Sequence, residues 1–231
     1  METNLSKIKE QAKLFLHLPI QYDTNFSPIL FVHHPFISSC IVSIGREMIN
    51  IVDNPEKLKE YQKAMEEAID EGDLCGIYML IRKPYRLTFL KYCEHYLSEK
   101  DLAEYFADAW VSSENPNQDA NCSISYLTKM FKKCNKKYLM TEEDYAVYES
   151  LPDTLTLYRG VSVGRNPKGL SWTQNIKTAE WFAHRFDKPD KKGYIQVTTA
   201  KKSDILAYFN TRGEDEIVYN GNKSKITILE E

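Results

Sequence analysis

A chain of 231 residues, 42% hydrophobic and 27% charged, is long enough to bury a real core as one large domain or two small ones. Its formal charge of -3 excludes a global basic field, so any nucleic-acid contact must rest on a local patch. The longest apolar-leaning run, residues 29–51, is interrupted by His33, His34, Pro35, Arg46 and Glu47 and is too polar for a membrane span, which predicts no membrane partner.

In chain order, residues 1–19 read as an amphipathic helix with Ile8, Ala12, Phe15 and Leu16 on one stripe, ended by Pro19. In the run 29–51 the two-residue and 3.6-residue periods compete, and a buried helix over 36–51 is expected. His33 and His34 have no third ligand at suitable spacing, so they read as a pair beside a turn and no metal is expected. Asp53-Asn54-Pro55 opens a helix that runs to about Asp70 and stops at Gly72. Further helices are expected at about 75–82, 84–97 and 99–112, then a loop around Asn115-Pro116-Asn117.

Residues 122–137 form the most basic helix, with Lys129, Lys132, Lys133, Lys136 and Lys137 interleaved with Tyr126, Phe131 and Tyr138. It reads as a solvated helix end or as a surface for an acidic or nucleic-acid partner. Thr141-Glu142-Glu143-Asp144 opens a helix to about Ser150. The five cysteines (Cys40, Cys75, Cys93, Cys122 and Cys134) show no CxxC or Cys/His spacing and, with no signal-peptide pattern, predict free thiols in a cytoplasmic protein.

After Pro152 the pattern becomes β-rich. Strands are expected at Thr154–Tyr158, Gly169–Thr173 and Tyr194–Thr199, with a helix carrying Ala179, Phe182, Ala183 and Phe186 between the last two. A short helical turn is expected over Asp204–Phe209. Glu216–Tyr219 and Ser224–Leu229 read as two strands joined at Asn220-Gly221-Asn222. The expected fold class is α+β: a helical region, residues 1–150, followed by a small mixed β-sandwich, residues 151–231.

Three short motifs carry polar chemistry. Arg159 ends a strand and can anchor phosphate bidentately, and Gly160 leaves room for close approach to the backbone. Ser171 and Thr173 share one strand face. Glu214 and Glu216, one residue apart at a strand start, would project side by side, an arrangement that favours a cationic species between them. In this order, Tyr158-Arg159-Gly160, Ser171-Trp172-Thr173 with Ala179 and Phe182, and Glu214-Asp215-Glu216, the C-terminal region resembles the mono-ADP-ribosyltransferase family of the Arg-Ser-Glu type, the cholera-toxin-like branch. Trp172 departs from the family's small residue, and the Arg-to-Ser spacing is short.

The resemblance implies NAD as substrate, with no metal. Arg159 would bind its phosphate and ribose side, and Gly160 the nicotinamide amide. Ser171 would orient Glu216, Thr173 would support the strand, and Phe182 and Phe186 would border the cofactor. Phe186 with Lys188, Lys191 and Lys192 would stand in the place of the family's phosphate–nicotinamide loop, and Tyr208 or Phe209 in that of its target-recognition aromatic. Glu216 would stabilise the oxocarbenium-like transition state, and Glu214 would position or deprotonate a macromolecular acceptor. The acidic pair Glu214 and Asp215 favours a protein arginine as acceptor over RNA or DNA. NAD glycohydrolysis and a non-enzymatic binding module are the alternatives. An intracellular effector, toxin or phage-defence protein, with an inhibitor or antitoxin partner, would suit such an activity.

Overall fold

The computed structural model describes residues 1–23, 31–52, 54–221 and 225–229. It divides into two compact units, Met1–Ser98 and Glu99–Glu231. The expected boundary at residue 150 marks a change of element type, but the helices from Glu99 onward share a core with the strands. Phe131, for example, packs on Phe209 with ring centroids 6.3 Å apart.

In the first unit, α1 (Leu5–Leu16) starts where the Asn4 side chain accepts from the Lys7 amide, and it buries Ile8, Ala12, Phe15 and Leu16 as its periodicity requires. Two short antiparallel pairs follow, β1 (Gln21–Asp23) with β2 (Phe31–His33), and β3 (Ile41–Ile44) with β4 (Glu47–Asn50). The second pair replaces the helix expected over 36–51. Gly45 takes a positive φ of 58° at the turn, and Val42 lies opposite Ile49, both buried, so the two-residue period prevails. His34 is buried, hydrogen-bonded to the Leu18 carbonyl and the Phe36 amide, which makes it a packing residue.

Helix α2 (Pro55–Glu71) is capped by Asn54 and ends at Gly72; Asp53 and Ile29 lie outside the described residues. Helices α3 (Leu74–Leu80) and α4 (Arg86–Cys93) complete the unit, and Phe89 meets Phe15 edge to face at 5.3 Å.

The second unit begins with α5 (Glu99–Ser112). The basic stretch is not one helix: α6 (Ile124–Lys133) stops at Cys134, whose backbone is extended, and Asn135 caps a separate α7 (Lys136–Leu139). Lys136 is drawn inward, donating to the Leu206 carbonyl and lying over the Tyr148 ring, while burial pulls its pKa down. Helix α8 (Glu142–Ser150) is capped by Thr141 as its sequence predicts.

Six strands follow: β5 (Thr154–Val161), β6 (Ser171–Thr173), β7 (Tyr194–Lys201), β8 (Ile205–Phe209), β9 (Glu216–Tyr219) and β10 (Thr227–Leu229), with α9 (Ile176–His184) between β6 and β7. They form one sheet in the order β10-β7-β5-β6-β9-β8, and every neighbouring pair is antiparallel. The expected mixed sandwich is therefore a single antiparallel sheet in an α+β unit. Strand β8 stands where a helical turn is expected, because a strand buried at all five positions loses the alternation that identifies strands. Strand β10 pairs with β7 and not with β9, so the last two strands are not a hairpin; Asn222 of the expected turn and Ser224 of the expected strand lie outside the described residues.

One irregularity positions the site. β5 and β7 pair over eight residues, whereas β5 and β6 share the single pair Tyr158–Thr173. Beyond it the two strands diverge, and the sheet opens between a β10-β7-β5 half and a β6-β9-β8 half. Helix α9 lies across β5 with Ala179 and Ala183 buried against it.

Gly160 permits that approach: a Cβ there falls 2.1 Å from the Ala179 carbonyl oxygen and 2.5 Å from the Ala183 nitrogen. Its lack of a side chain is thus used for helix packing, and Gly160 also lines the pocket described below. Gly160→Ala is expected to lower the unfolding free energy by about 3 kcal/mol, the upper range for overpacking a tight interior. A denaturant midpoint unchanged from wild type would contradict this account.

Candidate active site

Arg159 lies at the opening between β5 and β6. It is 7% exposed, with Nη1 donating to the Ser171 carbonyl at 2.6 Å and Nη2 to the Asn166 carbonyl at 2.9 Å. A guanidinium in the gap thus replaces the ladder bonds that β5 and β6 do not make and ties down the connecting loop. Gly169 leaves the space, since a Cβ there falls 2.0 Å from Nη2. Burial pulls the Arg159 pKa down to about 10, opposed by the nearby Glu216 charge, so the side chain stays protonated at neutral pH. Its Nε is buried with no protein partner.

Ser171 and Glu216 come from the next two strands, β6 and β9. The Glu216 carboxylate opens onto a pocket, yet protein surrounds it closely. Burial therefore raises its pKa most strongly; hydrogen bonds from Ser171 and Trp110 pull it down, the Glu214 charge pushes it up, and the Arg159 charge pulls it down. The Trp110 indole donates to Oε1 at 3.1 Å, and the Asn117 amide donates to the Ser171 hydroxyl at 3.0 Å. Asn117 also accepts from the Leu170 amide at 2.6 Å, and its own carbonyl accepts from the Asn166 amide group at 3.0 Å. This one loop residue holds both the serine and the loop bound by Arg159.

Glu214 is not on the strand. Gly213 and Asp215 both take positive φ, 68° and 48°, so the chain turns between the two glutamates, and Thr173 Oγ1 donates to the Glu214 carbonyl at 3.4 Å. Both carboxylates nevertheless line the same pocket. Asp215, expected beside Glu214 on an acidic rim, instead accepts from the Tyr208 hydroxyl at 2.7 Å. Tyr208 and Phe209 are 6% and 4% exposed, so neither presents an aromatic at the target-recognition turn.

The pocket, about 120 Å³, brings together Arg159, Gly160, Ser171, Thr173, Phe182, Glu214 and Glu216 from the sequence reading. Phe186 stands outside its lining, 46% exposed, under the guanidinium groups of Arg185 at 4.7 Å and Arg165 at 5.4 Å. Lys192 ion-pairs with Asp187 at 3.5 Å, and Lys188 and Lys191 bridge each other across a closed turn. Three arginines that sequence reasoning did not select, Arg165, Arg185 and Arg212, also line the pocket with Glu114. Arg185 lies over Phe182 at 4.9 Å and has a buried, unpartnered Nε; burial lowers its pKa, and so does the charge of Arg165 and Arg212. Guanidinium groups that repel one another beside unsatisfied donors form a seat for an anion. Among the described residues, no group of three or more His, Cys, Asp or Glu side chains has the placement to hold a metal ion, and no helix is long and apolar enough to cross a membrane.

The raised Glu216 pKa has a consequence for stability. Between the ordinary glutamate value and the raised one, the native state keeps a proton that the unfolded chain has lost, so stability falls as pH rises through that window. Glu216→Gln is expected to remove this loss and to melt above wild type at neutral pH while matching it near pH 4. Thermal melts of both proteins from pH 4 to 8 check the sign; a variant less stable than wild type at neutral pH contradicts it.

No protein-family model, curated protein or solved structure matches this chain.

Proposed function

We propose that the chain is an NAD-dependent mono-ADP-ribosyltransferase, with residues 151–231 as an ADP-ribosyltransferase-like core completed by Trp110 and Asn117. The observation that carries this reading is the convergence of Arg159, Ser171 and Glu216, from three neighbouring strands, on one pocket bordered by Glu214.

The donors and charges suit NAD. Arg159 has an unused buried Nε, and Arg165, Arg185 and Arg212 supply positive charge for a diphosphate. Tyr158 and Phe182 offer aromatic surface for the nicotinamide. In the reaction the bond between the ribose anomeric carbon and the nicotinamide nitrogen breaks, the electron pair leaves with nicotinamide, and an acceptor nucleophile bonds to the same carbon while its proton passes to Glu214. Glu216 stabilises the positive charge that develops on the ribose, a charge larger in the transition state than in the ground state. Ser171 and Trp110 favour the ionised form of that carboxylate against its burial and aim it. A water in place of the acceptor gives NAD hydrolysis with the same residues.

Glu216→Gln is expected to reduce nicotinamide release by about 100-fold or more, the usual scale for removing one aimed electrostatic group. Glu214→Ala is expected to lose transfer to a macromolecule in a cell lysate while retaining measurable NAD hydrolysis. Absence of nicotinamide release from the wild-type protein, with labelled NAD and lysate present, overturns the assignment. Equal loss of both activities in Glu214→Ala removes its separate role.

The acid limb of nicotinamide release should lie above the ordinary glutamate value. Glu214→Gln, which removes a repelling charge, should move it to lower pH, and Trp110→Phe, which removes a hydrogen bond to the carboxylate, to higher pH. A limb unmoved by either change separates Glu216 from the rate-determining ionisation.

A further inference from the structure

We infer that the acceptor is single-stranded nucleic acid, its phosphate backbone held in a lysine-lined groove on α6 beside the Glu216 pocket. The inference rests on the transferase reading above and names its substrate class. The groove is lined by Lys129 and Lys132 from α6, Lys168 from the loop between β5 and β6, and the neutral side chains of Ser125, Thr128 and Asn166. Among the described residues no carboxylate lines it.

Three cations without an anion in the same groove repel one another, and in a chain of net charge -3 their concentration on one surface is local. Phosphate oxygens answer this lining by taking charge from the lysines and a hydrogen bond from the Ser125 hydroxyl, while Thr128 donates to the Ile124 carbonyl and Asn166 to the Asn117 carbonyl. Of the two aromatic residues of α6, Phe131 is buried in the core against Phe106 and Trp110 and the half-exposed Tyr126 is not part of the groove lining, so the groove itself tracks backbone without stacking bases.

Two further observations separate this acceptor from a protein arginine. Asn166 belongs to both linings: it borders the lysine groove, and its carbonyl accepts from Arg159 inside the pocket. The basic groove and the reacting carboxylates are thus joined through one residue. The acidic rim that would attract a guanidinium is reduced, because Asp215 is taken by Tyr208. With Arg165, Arg185 and Arg212 engaged by the NAD diphosphate, an anionic acceptor backbone is met by the lysines of the neighbouring groove and not by the pocket itself. An unpaired base meets the pocket without the cost of opening a duplex. Its nucleophilic nitrogen or oxygen bonds to the ribose carbon as nicotinamide leaves, and its proton goes to Glu214.

The test is the salt dependence of binding of labelled 20-nucleotide single-stranded DNA and RNA to the full chain, without NAD. Lys129→Gln/Lys132→Gln/Lys168→Gln should weaken binding at least tenfold at low salt and reduce the slope of log K against log salt by about 2, roughly 0.7 for each single-strand phosphate no longer neutralised. Each single variant should reduce it by about 0.7, which keeps the test valid if the triple variant folds poorly. Lys133→Gln/Lys137→Gln, with exposed lysines outside the groove lining, should change the slope little.

With NAD and lysate, the wild-type label should be nuclease-sensitive, and the triple variant should lose it while releasing nicotinamide in buffer at the wild-type rate. An unchanged slope in the lysine variants overturns the proposal, as does label removed by protease and resistant to nuclease, the result for an acidic protein docked in the groove. Nicotinamide release reports separately on the NAD reading: if wild type releases none, that reading fails while the oligonucleotide slopes still decide the groove.

Discussion

The second unit depends on a buried guanidinium standing where a sheet stops pairing. β5 and β6 meet at one residue pair and then part, and open strand edges inside a protein leave amides and carbonyls that need partners. Arg159 supplies donors for the carbonyls, bridging those of Ser171 and Asn166 from a site almost closed to water. Hydrogen bonds from a charged donor are worth about 1.5–3 kcal/mol each, enough to hold the opening at a fixed width against the cost of burying the charge. Lysine, with a compact ammonium, could not span the two carbonyls and keep the planar fork. Gly169 leaves room for the fork, and Asn117 closes the same loop from the other side.

That opening gives Glu216 an environment with opposing demands. Burial and Glu214 favour the protonated acid, whereas Ser171, Trp110 and Arg159 favour the carboxylate. Either set alone would give an inert group: a neutral acid that cannot stabilise a cation, or an ion pair with its charge already satisfied. Arg159 spends its hydrogen bonds on backbone carbonyls, so it contributes a charge near Glu216 without forming an ion pair with it among the described residues. The carboxylate is therefore ionisable and unneutralised beside a pocket, the condition under which a fixed charge acts most strongly on a developing one.

The sequence disclosed the residues of the site better than the shape of the fold. Ser171 and Glu216 were legible because each starts a strand beside a distinctive neighbour. Arg159 was legible from its glycine neighbour and not from its place, since β5 continues to Val161 and the expected strand end at Arg159 is not there. Trp110 was hidden because a tryptophan inside the helix 99–112 pattern reads as core, which its ring is: it packs on Phe131 while only its Nε1 reaches the site. Asn117 sits in a single 3-10 turn, Pro116–Gln118, within the segment read as a loop, and no local pattern says which of its amides will reach Ser171. Strand β8 failed for a different reason, since burial on both faces erases the period-two signal on which strand assignment relies. The positive φ at Gly213 and Asp215, which moves Glu214 off the strand, depends on Tyr208 gripping Asp215 from an adjacent strand, a contact without local sequence signature.

The same turn links fold and selectivity. Asp144 on α8 accepts from the Asn210 amide, the Asn210 side chain accepts from the Asp215 amide, and Asp215 accepts from Tyr208, so helix and strand fix the turn from both ends. A non-glycine residue at positive φ costs of order 1 kcal/mol and persists only where surrounding bonds hold it. Here they direct the Asp215 carboxylate to Tyr208 and leave Glu214 in the pocket lining, so that of three consecutive acidic residues two line the pocket and the third is a structural pin. The charge of the pocket mouth is consequently set by three arginines against Glu114 and Glu214, not by the acidic run that dominates the local sequence. Charge counted along the acidic run and charge presented at the pocket differ because three arginines join its lining and one carboxylate is turned away to Tyr208.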